Sequence, residues 1–217
     1  PSPFDYSRQA LLGIPSDLPL PTESGFGRAT TAALRELLIT TRGRAFALFT
    51  SFAALQRAYR DLAPDLEARG MLPLCQGSED RQILLERFKA TRGAVLFGTA
   101  SFWEGVDVPG EALVLVVIAK LPFGVPSEPL QLARAEAVER RGGSAFAELS
   151  LPQAVLKLKQ GFGRLIRNHA DRGAVIILDR RLVTRHYGRA FLDSLPPARI
   201  EVAPLKDLLP LVAHMTR

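Results

Sequence analysis

The chain has 217 residues, 47% hydrophobic and 23% charged, values near the averages for soluble globular proteins, which excludes a disordered or fibrous polypeptide. Lys and Arg total 28 against 22 Asp and Glu, a net charge of +6, which favours a polyanionic partner over an acidic protein surface. The single cysteine, Cys75, excludes an internal disulfide, a cysteine-based zinc site and a four-cysteine iron–sulfur cluster held within the chain, and the longest apolar run, Ala112 to Ala119, is too short to cross a bilayer.

Residues 1–24 carry five prolines and no helical period, so they read as an extended, proline-rich entry segment. Within it, Ala10 to Ile14 can form a short first strand before Pro15 and Pro19 interrupt any ladder. The abrupt opening at Pro1 looks like a piece of a longer polypeptide. From Arg28 to Thr40 apolar residues recur at three- and four-residue steps, which predicts an amphipathic helix. Ala45 to Phe49 is a continuous apolar run ending at Thr50-Ser51, and Phe52 to Leu66 returns to helical spacing until Gly70. The alternation continues with strands at 71–74, 95–97, 113–119, 174–178 and 200–202. Helices are predicted near 78–88, 130–141, 153–167, 182–192 and 206–214. Strands that are apolar on both faces and alternate with helices predict one α/β domain over 1–217, a parallel sheet covered on both sides. Ligands gather at the carboxyl ends of such strands, which directs attention to Thr50-Ser51, Gly98 to Gly110, Lys120 to Pro126 and the helix at Gln160.

The clearest chemical signal is Gln160-Gly-Phe-Gly163-Arg164-Leu-Ile-Arg167. On a continuous helix, Gln160, Gly163, Arg164 and Arg167 share one stripe, and Val155, Leu158, Phe162, Leu165 and Ile166 share the opposite, core-facing one. Two guanidinium forks beside glycines that each cost about 1 kcal/mol relative to alanine in a helix suit phosphate oxygens approaching the backbone. The alternative is a solvated basic face.

The second signal is Gly98 to Gly110, after an apolar strand. Thr99 and Ser101 can hydrogen-bond phosphates, Phe102 or Trp103 can stack on a base, and Asp107 can hold a ribose hydroxyl. Equally, Trp103 can be a core anchor and Asp107 a turn residue. Thr50-Ser51 offers hydroxyls at a helix N-terminus, for a phosphate or as a plain N-cap. The sequence has no Gly-Lys dipeptide, hence no Walker A loop, and no Asp-Glu pair to hold magnesium. Gly25-Phe-Gly27 and Gly161-Phe-Gly163 lack the third glycine of a dinucleotide fingerprint, and His169, His186 and His214 lack metal-ligand spacing.

Taken in order, Phe49-Thr-Ser-Phe52, Phe97-Gly-Thr-Ala-Ser-Phe-Trp-Glu-Gly-Val-Asp107, Lys120-Leu-Pro-Phe123 and Gln160-Gly-Phe-Gly-Arg-Leu-Ile-Arg167 resemble motifs IV, V and VI of superfamily 2 helicases, most of all the XPD/DinG family. Ser2-Pro-Phe-Asp5 and the stretch from Asp179-Arg-Arg181 to Tyr187-Gly188 resemble it too. The resemblance implies a RecA-like second motor lobe of an ATP-driven 5′-to-3′ DNA helicase acting in repair or replication. It implies that Arg164 and Arg167, with Gln160, reach ATP and Mg2+ held mainly by a first lobe this chain lacks. It further implies that Glu104, Gly105, Asp107 and Gly163 serve nucleotide coupling, and that Thr50, Ser51, Thr99, Ser101, Phe102 and Trp103 lie nearer single-stranded DNA. The implied partners are that strand and the first lobe. No metal cluster, no membrane and a cytoplasmic, nucleoid-associated location in a bacterium are expected, and the isolated chain is expected to be inactive. The alternative is a non-catalytic RecA-like nucleic-acid-binding module, with a small-molecule nucleotide enzyme disfavoured by the missing phosphate loop.

Overall fold

A computed structural model of the chain describes residues 4–99, 102, 108, 110–124, 129–166 and 168–217. Its centre is a seven-stranded sheet of β1 (Ala10–Pro15), β2 (Ala45–Phe49), β3 (Leu72–Cys75), β4 (Ala94–Thr99), β5 (Leu115–Ile118), β6 (Gly173–Ile177) and β7 (Arg199–Ala203), in the order β3-β4-β2-β5-β6-β1-β7. Every pairing is parallel.

The helices follow from the alternation of side chains along the strands. Leu11, Ala47, Phe97, Leu115, Val117 and Ile176 face one way. There they pack with Leu34, Leu37 and Leu38 of α2 (Phe26–Thr41), Leu55 and Leu62 of α3 (Phe52–Ala68), and Val212 of the C-terminal helix (Leu205–Met215). Leu12, Phe46, Leu96, Val116 and Ile177 face the other way, against Leu84 and Phe88 of α4 (Arg81–Ala90), the helix Leu151–Phe162 and Phe191 of the short helix Gly188–Ser194. Two further helices, Tyr6–Gln9 and Arg181–Thr184, are single turns, and Pro129–Arg140 leads into a π-turn at Phe146–Ser150. Burying each large apolar side chain stabilises the fold by about 1.5–3 kcal/mol, so a sheet covered on both faces is what these apolar runs select.

Within residues 1–24 the strand expected at Ala10 to Ile14 is present as β1 (Ala10–Pro15), fully buried between β6 and β7, and only the interruption expected at Pro15 is corrected. Pro15 does not interrupt the ladder. The Ser16 amide donates to the Ala203 carbonyl at 3.0 Å, so by alternation the Pro15 nitrogen points toward β6, and pairing with β6 ends at Gly13 opposite Ile176.

The helix expected at 153–167 is also corrected, since it runs from Leu151 to Phe162. Beyond it the Arg164 amide bonds the Gly161 carbonyl and the Leu165 amide the Phe162 carbonyl, both three residues back, which tightens the chain into a turn. Gly161 and Gly163 make ending the helix there inexpensive. Among the described residues no helix is long and apolar enough to cross a membrane.

Candidate functional site

The carboxyl ends of β2 and β5 adjoin at the centre of the sheet, with Leu48 beside Ile118 and the Ala119 amide donating to the Leu48 carbonyl at 2.9 Å. From β2 the chain turns toward β3, and from β5 it turns toward β6 on the opposite side. Such a reversal opens a crevice, the usual ligand position in a doubly wound sheet. Here it is a cavity of about 200 Å³ lined by Thr50 and Ser51 after β2, Lys120 after β5, and the first turns of α2 and α3. Among the described residues Lys120 and Arg57 are its two cations, and no carboxylate lines it.

Ser51 is the N-cap of α3, its hydroxyl oxygen accepting from the Ala54 amide at 3.3 Å. The capping alternative therefore holds, and the hydroxyl proton stays free to donate outward. Thr50 and Ser51 are both exposed. Thr99, at the end of β4, is held by Gln76, whose Oε1 accepts from the Thr99 amide at 2.7 Å and from its Oγ1 at 3.0 Å.

Phe102 does not take the position expected for a base-stacking ring. It is 5% exposed and part of the core, with the Arg81 guanidinium 5.5 Å from its ring centroid and Arg81 Nη2 donating to its carbonyl at 3.1 Å. Its apolar ring is better covered than wet, so Phe102 packs as a core side chain. Ser101, Trp103, Glu104, Gly105, Asp107 and Arg167 lie outside the described residues.

On the Gln160 segment the split of faces holds although the helix is shorter. Gln160 and Gly163 are exposed and Arg164 is partly so, while Leu158, Phe162, Leu165 and Ile166 are buried. Around Gly163 the nearest atoms to a side-chain position are carbonyls of its own helix, at 3.4 and 3.7 Å, so the fold itself does not require a glycine there.

A latch that sequence reasoning left out of the candidate residues holds the crevice together. The Asp179 carboxylate, immediately after β6, is completely buried. It accepts from the Leu121 amide at 3.0 Å, the Arg181 amide at 3.1 Å, and Arg181 Nε and Nη2 at 2.9 and 2.6 Å. Burial alone pulls the Arg181 guanidinium's pKa down, but the bonds and charge of Asp179 outweigh it and hold it above its ordinary value. Arg181 also covers Phe123, 5.6 Å from its ring centroid. The latch thus fixes Leu121 and, one residue back, Lys120. A charged residue directly after an apolar strand, followed by two arginines, was the available sequence signal. Burial raises the Cys75 thiol, which leaves it a packed side chain and not a nucleophile. Among the described residues no group of three or more His, Cys, Asp or Glu can hold a metal ion.

An all-parallel sheet of this order, with its polar loops at one edge and no phosphate loop of its own, defines a RecA-like lobe. Its fold is that of a solved XPD helicase, at TM-score 0.66 and 16% identity over 89% of this chain and 35% of that one. Residues 34–198 match the helicase C-terminal domain model, and the chain belongs to that family. It is 51% identical over 199 residues to the ATP-dependent DNA helicase YoaA of Escherichia coli, covering 91% of this chain and 31% of the relative. It is 41% identical over 202 residues to the ATP-dependent DNA helicase DinG of Photobacterium profundum, covering 90% and 29%. The chain thus spans about three tenths of the length of these curated relatives.

Proposed function

We propose that this chain is the second motor lobe of an ATP-dependent DNA helicase, and that it works on nucleotide held mainly by a first lobe outside the chain. The observation that carries the reading is the family match across residues 34–198, together with an exposed Gln160 and Gly163 and a partly exposed Arg164 on a lobe that has no phosphate loop. A lobe without its own phosphate loop can only complete a site built by another. In this reading ATP is the substrate, and Arg164 and Arg167 meet its phosphates across the interlobe cleft with Gln160 beside them. Charge builds on those oxygens as the phosphoryl group transfers, and a planar guanidinium fork there is worth about 10³–10⁵ in rate. Glu104, Gly105 and Asp107 couple that event to the strand. Thr50, Ser51, Thr99, Ser101 and Trp103 touch the sugar-phosphate backbone of single-stranded DNA, with Trp103 able to stack on a base. Magnesium would neutralise the phosphates, held mainly by the first lobe.

The test is ATP turnover of the full polypeptide with and without single-stranded DNA. Arg167→Ala and Arg164→Ala each abolish stimulated turnover by at least about a hundredfold and leave DNA affinity within a factor of two or so. Unchanged turnover refutes the motor role, and the non-catalytic nucleic-acid-binding module then takes its place.

A further inference from the structure

The crevice between β2 and β5 contains a polar group that the fold leaves unanswered. Thr30 lies in the second turn of α2 and lines the cavity. It is only 5% exposed, and its buried Oγ1 has no hydrogen-bond partner. Helical threonines normally bond the carbonyl four residues back, as Thr31 does to Gly27 at 3.0 Å in the same helix. A buried hydroxyl without a partner is costly unless something outside the chain supplies one.

The same turn offers more donors. The N-cap of α2 is Gly25, at φ +88°, which brings no capping side chain, and among the described residues the amides of Gly27 and Arg28 find no acceptor. Gly27 has nothing within 4 Å of a side-chain position, so its backbone is open to close approach. The Gly25-Phe-Gly27 segment, which fails as a dinucleotide fingerprint, thereby acquires a use. The N-termini of α2 and α3 both open on this cavity, each carrying roughly half a positive charge, and Lys120 and Arg57 add two more charges with no carboxylate among the described lining residues to offset them. The Thr30 hydroxyl, the Gly27 amide, Lys120 and Arg57 donate or are positive, and their residues all line one space.

We propose that this cavity is a subsite for one backbone phosphate of single-stranded DNA, bound by the Thr30 hydroxyl and the Gly27 amide and neutralised by Lys120 and Arg57. The inference deepens the reading of the lobe as a DNA contact and rests on it. Thr50 and Ser51 at the rim put the subsite in line with the backbone contacts assigned there. A free phosphate has the same chemistry, and the experiment separates the two sources.

A labelled single-stranded oligonucleotide is titrated across a salt series into the full polypeptide, wild type, Thr30→Val and Lys120→Ala, with thermal melts alongside. Thr30→Val removes the hydroxyl at constant shape. It is expected to weaken DNA binding about 3- to 10-fold while its melting temperature holds or rises. Lys120→Ala is expected to reduce the slope of log affinity against log salt by about 0.7. If wild type binds DNA and both variants match it in affinity and slope, the subsite is overturned and the DNA-contact reading stands. If wild type has no affinity for single-stranded DNA, that reading falls and the subsite with it. A lower melting temperature for Thr30→Val means that the hydroxyl supports the fold, which also overturns the proposal. If inorganic phosphate stabilises wild type but not Thr30→Val and their DNA affinities are equal, the cavity takes a free ion and the strand assignment is overturned.

Discussion

The two edges of this sheet are both basic, yet only one is suited to an anion. At the amino edge, where strands begin, α2 ends at Thr41 before Arg42, α3 ends at Ala68 before Arg69, and α4 ends at Ala90 shortly before Arg92. A depression of about 980 Å³ there is lined by Arg42, Arg44, Arg69, Arg92 and Arg217 and, among the described residues, by no Asp or Glu. Each helix presents its negative end to that depression, so these arginines answer the protein's own dipoles. At the carboxyl edge the helix ends are positive, and Lys120 and Arg57 add to them. The larger cavity with more arginines is therefore the weaker candidate. The sign of the helix ends, and not the count of cations, decides where a phosphate is welcome.

If the carboxyl edge is built for a ligand and the amino edge for stability, substitutions should separate the two. The largest effect on stability belongs to the latch that bounds the crevice. Asp179→Ala leaves Arg181 without its anion and the Leu121 amide without an acceptor, and is expected to cost about 3–5 kcal/mol in denaturant unfolding. A loss below about 1 kcal/mol means that the latch does not hold the edge. Next is Gly43→Ala at the amino edge. Gly43 has φ +77°, and a β-carbon on it would lie 2.2 Å from the Gly93 carbonyl oxygen. The expected cost is about 2–3 kcal/mol, with the salt dependence of DNA binding unchanged. Loss of DNA binding without loss of stability there breaks the comparison.

A smaller effect comes from reversing one charge at each edge. Lys120→Glu is expected to weaken single-stranded DNA binding by about tenfold or more, and Arg42→Glu to lower stability by about 1 kcal/mol with little change in DNA affinity. Equal losses of affinity in the two variants mean that the arginine depression also binds the strand. The smallest effect concerns Asp65, whose carboxyl is held below its ordinary range by its hydrogen bond from Arg69 and by the charge of Arg35. A depressed carboxyl stabilises the fold above its unfolded pKa of about 4 and loses that contribution as pH falls through the folded value. Melts at pH 5 and pH 3 should therefore show a smaller drop for Asp65→Asn than for wild type. An equal drop places the acid sensitivity elsewhere.

Much of this was legible along the chain because parallel strands buried on both faces are written as unbroken apolar runs. Ala45 to Phe49 and Ala174 to Leu178 could hardly be anything else once helical stretches flank them. The first strand was expected at Ala10 to Ile14, but its end at Pro15 was misjudged because a proline argues against a strand interior, and only the neighbour's register shows that the Pro15 nitrogen has no ladder bond to lose. The Gln160 segment was divided correctly into buried and exposed residues, but its helix was drawn too long, since a period cannot say where glycines let a turn tighten. Phe102 was read as a stacking ring because aromatic residues in a loop look available; its burial under Arg81 depends on α4, which lies far away in sequence.

The sequence by itself determined the alternation, the parallel sheet and the absence of a phosphate loop, because these depend on local period and on residues close in the chain. Only the tertiary structure decided which strands adjoin. That order places Thr50 beside Lys120, some seventy residues apart, and closes Asp179 onto Leu121. It also leaves the Thr30 hydroxyl alone in a buried wall. Partners distant in sequence meet through packing and register, and no local pattern encodes a hydrogen bond that the fold fails to make.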